Sequence, residues 1–116
     1  MQIKKFEDLR VWKESIILSY EIYKVFRYTR DFNFRNQIQR AAISISNNIA
    51  EGFERNNFKE FKRFLYYSKA SCAEVKSMIY LAKKLKYIND ESFDNIYKLS
   101  NKILNYLGAL IKSIKE

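Results

Sequence analysis

Lysines at positions 62, 69, 76 and 83 recur every seventh residue. Lys59, Tyr66, Ala73 and Tyr80 fill the complementary three–four steps, and Arg63 stands beside Lys62. Seven residues fall about 20° short of two α-helical turns, so on a helix this ribbon holds one face for ~30 Å. Cations spaced along a face with rings between them suit a nucleic-acid strand. Ammonium groups meet the phosphates, and tyrosines stack on the bases. Most lysine runs are only solvated faces, but such faces ordinarily mix signs, and this ribbon carries no acid. Nothing in it specifies base edges, so recognition would be largely independent of sequence. The nucleic-acid-binding candidates are Lys59, Lys62, Arg63, Tyr66, Lys69, Lys76, Tyr80 and Lys83.

A second pattern, SISNNIAEGFER at 44–55, breaks an apolar rhythm with four polar residues and closes it with an acid and a glycine. Its bland reading is a solvated stretch of poor helix propensity, ended by Gly52 as the left-handed residue after the helix. Asn48, however, falls on the same side as Ile45 and Ile49. A buried amide costs free energy unless hydrogen-bonded, so Asn48 is expected to find a partner. Glu51 near a helix C-terminus is electrostatically unfavourable and calls for a cation, with Arg55 or Arg40 the candidates. A buried structural network is favoured over a ligand site.

Catalytic and metal chemistry has little to work with. The chain has no histidine, which removes the commonest general base and metal ligand. Its two glycines, Gly52 and Gly108, cannot write a phosphate-binding loop. No enzyme activity, metal or cofactor is expected. The single cysteine, Cys72, cannot form an internal disulfide, which points to a reducing compartment. The opening MQIKKFEDLR lacks the apolar core of a signal peptide, and no apolar run reaches the ~18 residues of a membrane span. A cytoplasmic protein is expected.

Something must position these residues, and the chain favours long helices. With 116 residues, 47% hydrophobic content and no proline, it has the makings of one globular domain and almost no turn punctuation. A first helix over Phe6 to Tyr28 carries two apolar stripes. One is Leu9, Trp12, Ile16, Tyr23 and Phe26; the other is Val11, Leu18, Ile22 and Val25, which implies cover on more than one side. The segment TRDFN (29–33) breaks it, with Asn33 as the next cap. Helix two turns Ile38, Ala41, Ile45 and Ile49 inward. Asn57 and Glu60 form a capping pair for helix three, which runs to Lys86. Its core positions are Phe58, Phe61, Leu65, Ser68, Cys72, Val75, Ile79 and Ala82, widened by Phe64, Ser71, Met78 and Leu85. Small residues at 68, 71 and 72 permit close approach of a neighbour. Asn89 or Asp90 caps helix four, with Phe93, Ile96, Ser100, Ile103, Leu107, Leu110 and Ile114 inward. The expected fold is all-α, an up-down-up-down four-helix bundle over residues 1–116.

Motifs now add to periodicity. QIQRAA (37–42), SISNNIAEGFER (44–55) and FKRFLYYSKASCAEV (61–75), with FEDLRVWKESIILSYEIY (6–23) and LKYI (85–88), resemble the bacterial four-helix bundle family encoded in intervening sequences of 23S ribosomal RNA genes. The string Q-x-x-R-A-A…S-I-x-x-N-I-A-E-G is the specific part. It marks Gln37, Arg40, Ser44, Asn48, Glu51, Gly52 and Arg55 as a structural motif. The chain departs from the family in keeping only DFN (31–33) between its first two helices, and in reading Ala70-Ser71 where Gly-Ser is usual. The resemblance implies a ring-shaped homopentamer. The accessory variability proteins of diversity-generating retroelements are similar in fold, and bind a reverse transcriptase and nucleic acid through a basic surface.

The charge agrees with a binding surface. Of a net +9, residues 55–86 carry +7, from nine Lys/Arg against Glu60 and Glu74, while residues 87–116 sum to zero. Two expectations of different class follow. One is a basic oligomer that binds RNA or another nucleic acid, in the company of a reverse transcriptase. The other is a structural or protein-interaction oligomer whose lysines serve solubility. Ile17 and Ile43, apolar but off the core stripes, give modest support to self-association. A membrane-surface role is disfavoured, because the apolar faces are needed for the bundle.

Overall fold

The computed structural model describes residues 3–115. A 3-10 turn (Phe6–Asp8) leads into α1 (Arg10–Phe26), α2 (Phe32–Glu54), α3 (Phe58–Lys84) and α4 (Asp90–Ser113). Each helix packs on its neighbours in the chain and α4 closes back on α1, while backbones across the two diagonals stay apart. The result is the expected up-down-up-down bundle, 44 × 22 × 19 Å. Its core is a column of fully buried side chains: Leu18, Ile22 and Phe26; Ile38, Ile45 and Ile49; Leu65, Val75 and Ile79; Ile96, Ile103 and Leu107. No helix among the described residues is long and apolar enough to cross a membrane.

Helix starts follow side-chain chemistry. Asn57 accepts from the Glu60 N–H at 3.0 Å and Asn89 from the Ser92 N–H at 2.8 Å, each quieting an orphan donor. The cap of α2 is Asp31, which accepts from the Phe34 N–H at 3.1 Å, and not Asn33. The helix begins one residue before Asn33, and a carboxylate also complements its N-terminal dipole. The first helix, by contrast, starts later than expected, at Arg10. Leu9 is extended, which buries its side chain and sets Phe6 edge-on against Trp12 at 5.3 Å.

Helix ends overturn two expectations. Gly52 is not a left-handed terminator. It lies inside α2, buried, and Asn56 adopts the positive φ (51°) that turns the chain. Asparagine tolerates that region better than most side chains. Helix α3 stops at Lys84, because Lys86 reverses the chain at φ 63°. The Lys86 N–H then donates to the Lys83 carbonyl (3.1 Å) and Tyr87 to Ala82 (2.8 Å), closing a Schellman motif.

Burial also corrects the stripes. On α1 it is Val11, Leu18 and Ile22 that face the core, with Val25 half-buried; Ile16 and Tyr23 are each 43% exposed. One bundle interior cannot take both stripes whole: Leu9 and Phe26 of the first stripe are buried at the two ends of the helix, while Ile16 and Tyr23 between them are left at the surface of the single chain. Phe58 is exposed because it opens α3 at the end of the bundle, beyond the core column. Leu85, at the other end of α3, is exposed for the same reason. On α4, Ile111 is buried and Leu110 only partly so. A four-residue step from Leu107 keeps to the core face that a strict heptad would drift from.

Candidate nucleic-acid interface

The ribbon faces outward because the opposite side of α3 is filled. Leu65, Cys72, Val75, Ile79 and Ala82 are fully buried in the core. Lys59, Arg63, Tyr66, Lys69, Tyr80 and Lys83 are exposed, and Lys62 and Lys76 half-buried. The structure divides the ribbon into two parts. Near the start of α3, Lys59, Tyr66 and Lys69 make no hydrogen bond, ion pair or ring contact among the described residues. They stand free in solvent. Near its end the ribbon is knitted to α4. The Lys76 ammonium sits 4.9 Å over the Tyr97 ring and Lys83 4.6 Å over Phe93. Tyr80 meets Phe93 and Tyr97 edge-on at 5.3 and 6.1 Å. Phe93 and Tyr97 themselves stack at 5.8 Å, forming a platform under the ribbon.

The phenols report this contact. Hydrogen bonding to Tyr97 holds the Tyr80 hydroxyl above its ordinary pKa. Tyr97 is held below its own, first by Asn101, then by Tyr80 and by the charge of Lys76. Tyr80 is thus a seated ring, 52% exposed, and Tyr66 a free one of equal exposure.

The expectation of a surface without acids needs correction. Glu60 binds Arg63 at 2.8 Å, and Asp90 lies 3.7 Å from Lys83. Both acids sit in the first turn of a helix, where the dipole favours them, and the fold brings those turns beside the ribbon. Arg63 is further held by the Tyr67 hydroxyl at 3.2 Å, so its charge is already engaged. The Phe93–Tyr97 platform escaped sequence reading. Its signal was an aromatic pair four residues apart on α4, with Tyr97 off the core stripe.

Several residues of the Q-x-x-R-A-A…S-I-x-x-N-I-A-E-G string join α2 to α3. Gln37 donates to Glu74 (2.9 Å), and Ser71 donates to Ser44 (2.9 Å). Asn48 is half-buried and donates within its own helix, to the Ser44 carbonyl (2.8 Å) and hydroxyl (2.9 Å). Gly52 lets the two helices approach closely. A Cβ there would lie 2.5 Å from the Cβ of Phe64. Below it, Ser68 donates to the Ile45 carbonyl of α2 at 2.8 Å, and one turn further along the same inner face Cys72 donates to the Ser100 carbonyl of α4 at 3.4 Å. Burial pushes the Cys72 thiol up to about 12, so it is an inert packing group. The expected cation for Glu51 is missing among the described residues. Arg55 turns instead to Phe64 (5.0 Å) and Glu60 (3.9 Å), and solvent at the exposed Glu51 makes a partner unnecessary. Arg40 and Glu51 line an open groove of about 560 Å³ between α1 and α2, with Tyr23 and Asn47. No group of three or more potential metal ligands occurs among the described residues.

Comparison with known proteins agrees with this architecture. No curated protein matches the sequence. Among solved structures, a protein of unknown function from the S23 ribosomal protein family of Bacteroides thetaiotaomicron VPI-5482 superposes with a TM-score of 0.82. It is 22% identical, and the match covers 89% of this chain and 96% of that one, a likeness of fold. The sequence model of the 23S rRNA-intervening sequence proteins matches residues 7–109, nearly the whole bundle. The chain belongs to the 23S rRNA-intervening sequence protein family.

Proposed function

We propose that this chain is a non-catalytic, basic bundle that binds RNA or another nucleic acid along the outer face of α3, as a homo-oligomer. The observation that carries the reading is the seven-residue lysine repeat on an outward face, with Tyr66 free and Tyr80 seated beside it. Lys59 and Lys69 are available to phosphates without breaking any existing interaction. The pentameric state and a place beside a reverse transcriptase rest on the family resemblance, and a cytoplasmic setting on the single cysteine and the polar opening of the sequence.

Replacing Lys62, Lys69, Lys76 and Lys83 together by glutamine tests the reading. Affinity for RNA is expected to fall broadly, with little change in sequence preference. The slope of log K against log salt becomes shallower by about 0.7 for each single-strand phosphate that is no longer neutralised. Wild-type affinity in this variant at every salt concentration would sink the proposal. A second reading, a structural or protein-interaction oligomer, is favoured by the exposed Ile16, Ile17, Tyr20 and Tyr23 on α1. Light scattering at tens of micromolar bears on both, since a strictly monomeric mass removes the oligomer from each.

A further inference from the structure

The end of the bundle where α1 hands over to α2, and α3 to α4, carries a second basic and aromatic surface. The two turns are tied together. Tyr87 donates to Asp31 at 2.8 Å, and its ring meets Phe34 edge-on at 5.3 Å. One turn supplies Arg27, Arg30 and Arg35, and the other Lys84 and Lys86. None of these five forms an ion pair among the described residues. The acids at this end are fewer than the cations: Asp31 accepts from Tyr87 and Phe34, Asp90 faces Lys83, and Glu91 follows it in the first turn of α4. At the other end, the α2–α3 turn mixes Glu51, Glu54 and Glu60 with its cations and has no such excess.

Two rings at the basic end stand out from the bundle. Tyr28 is 82% exposed and Phe32 58%. Each is backed by a guanidinium, Arg27 at 4.8 Å from Tyr28 and Arg35 at 4.7 Å from Phe32. An exposed ring with a cation against it offers what an unpaired base needs, a π surface with a phosphate-neutralising charge alongside. Bases inside a duplex are already stacked and cannot use it. The surface is also continuous with the ribbon, whose last lysine, Lys83, is followed directly by Lys84 and Lys86.

We infer that this end of the bundle holds unpaired bases of a single-stranded segment on Tyr28 and Phe32, continuing the strand path of α3 over the end of the helix. The inference rests on the ribbon reading and narrows it from nucleic acid in general to single strands. Continuity with the ribbon and the guanidinium-backed rings favour a nucleic acid over an anionic lipid surface.

The test is fluorescence anisotropy with the full chain, a short oligouridylate and a short RNA duplex. Tyr28→Ala with Phe32→Ala is expected to weaken oligouridylate binding at least tenfold or so, and duplex binding less than about threefold. Both rings are exposed, so the thermal melt should be unchanged. Arg27→Lys with Arg35→Lys keeps the charge and removes the planar stack, and is expected to weaken oligouridylate binding alone. Equal losses for both RNAs, or no loss for oligouridylate, overturn the inference while the ribbon reading stands. If instead the four-lysine variant keeps wild-type affinity, the ribbon reading fails. A wild-type chain that binds neither RNA removes both. Binding to phosphatidylserine vesicles that disappears in the Tyr28→Ala, Phe32→Ala variant, with oligouridylate binding intact, would reassign the surface to lipid.

Discussion

Helix α3 has two faces governed by different physics. Its inner face meets α2 and α4 through small groups, with Ser68 on the Ile45 carbonyl, Ser71 on Ser44, Cys72 on Ser100 and Phe64 against Gly52. Its outer face carries Lys59, Tyr66 and Lys69 in open solvent. On the inner face a few tenths of an ångström decide stability, because close-packed interiors cannot absorb added atoms. On the outer face charge and exposure matter, and shape hardly does. The same helix therefore serves as a rigid seam and a tolerant surface.

The sharpest way to break this contrast is to add one methyl group inside the seam and another well away from it, on α4. Gly52→Ala places a Cβ 2.5 Å from a backbone-anchored Cβ of Phe64, so α2 and α3 must separate. A loss of ~1–3 kcal/mol is expected in urea unfolding, although glycine to alanine within a helix ordinarily gains stability. Gly108→Ala is the control. Nothing lies within 4 Å of its added Cβ, and a gain of ~0.5–1 kcal/mol is expected. If both variants shift the midpoint in the same direction, contact distance is not what governs the seam.

Asn48→Leu probes the polar part of the seam with a smaller effect. It removes two hydrogen bonds to Ser44, the residue that receives Ser71 from α3. A loss of ~1 kcal/mol is expected, read as a lowered melting temperature. An unchanged or raised melting temperature would show that the network contributes nothing.

Weaker still is the tie between Tyr87 and Asp31 at the basic end. The Tyr87 hydroxyl, and then the Phe34 N–H, hold the Asp31 carboxyl below its ordinary value. That contribution is full above ~3.9 and is lost as pH falls through the lowered value. Bonding to Asp31 raises the Tyr87 phenol in turn, so its share persists up to ~10 and fades as pH rises through the raised value. The melting temperature of Tyr87→Phe should lie slightly below wild type at neutral pH, and the gap should close in strong acid and strong alkali. A gap that ignores pH would assign the effect to packing against Phe34. The smallest expected change is on the outer face itself. The four-lysine variant that weakens RNA binding should keep its stability within about 0.5 kcal/mol.

The sequence carries some of this plainly. The caps Asn57 and Asn89 are legible because an N-cap needs only its own helix's first turn. The core stripe of α3 and the outward direction of the lysines are legible together, since both are angles on one helix. Gly52 is not, because its meaning depends on where Phe64 of another helix arrives. Nor can periodicity choose between the two apolar stripes of α1, as each is a valid helical face. The platform of Phe93 and Tyr97 beneath Tyr80 depends on how α4 is rotated, which no pattern within α3 contains. Family membership and bundle architecture are thus readable residue by residue, whereas the local contacts of the candidate surface require the assembled structure.

The cyclic order of the helices also bears on how the chain acquires its shape. Three of the four seams join helices consecutive in sequence, and only the α4–α1 seam spans the chain. Most loop closures are therefore short, the condition for folding on the microsecond-to-millisecond scale. The α2–α3 hairpin, with its interlocked small residues, has the contacts to act as a nucleus. The α1–α4 seam, held at its edge by Lys102 on Glu14 (2.8 Å) and Arg10 over Tyr106 (5.1 Å), joins the first and last helices and is expected to form last. Hydrogen exchange is expected to be fastest for amides along that seam and slowest for those of α2 and α3.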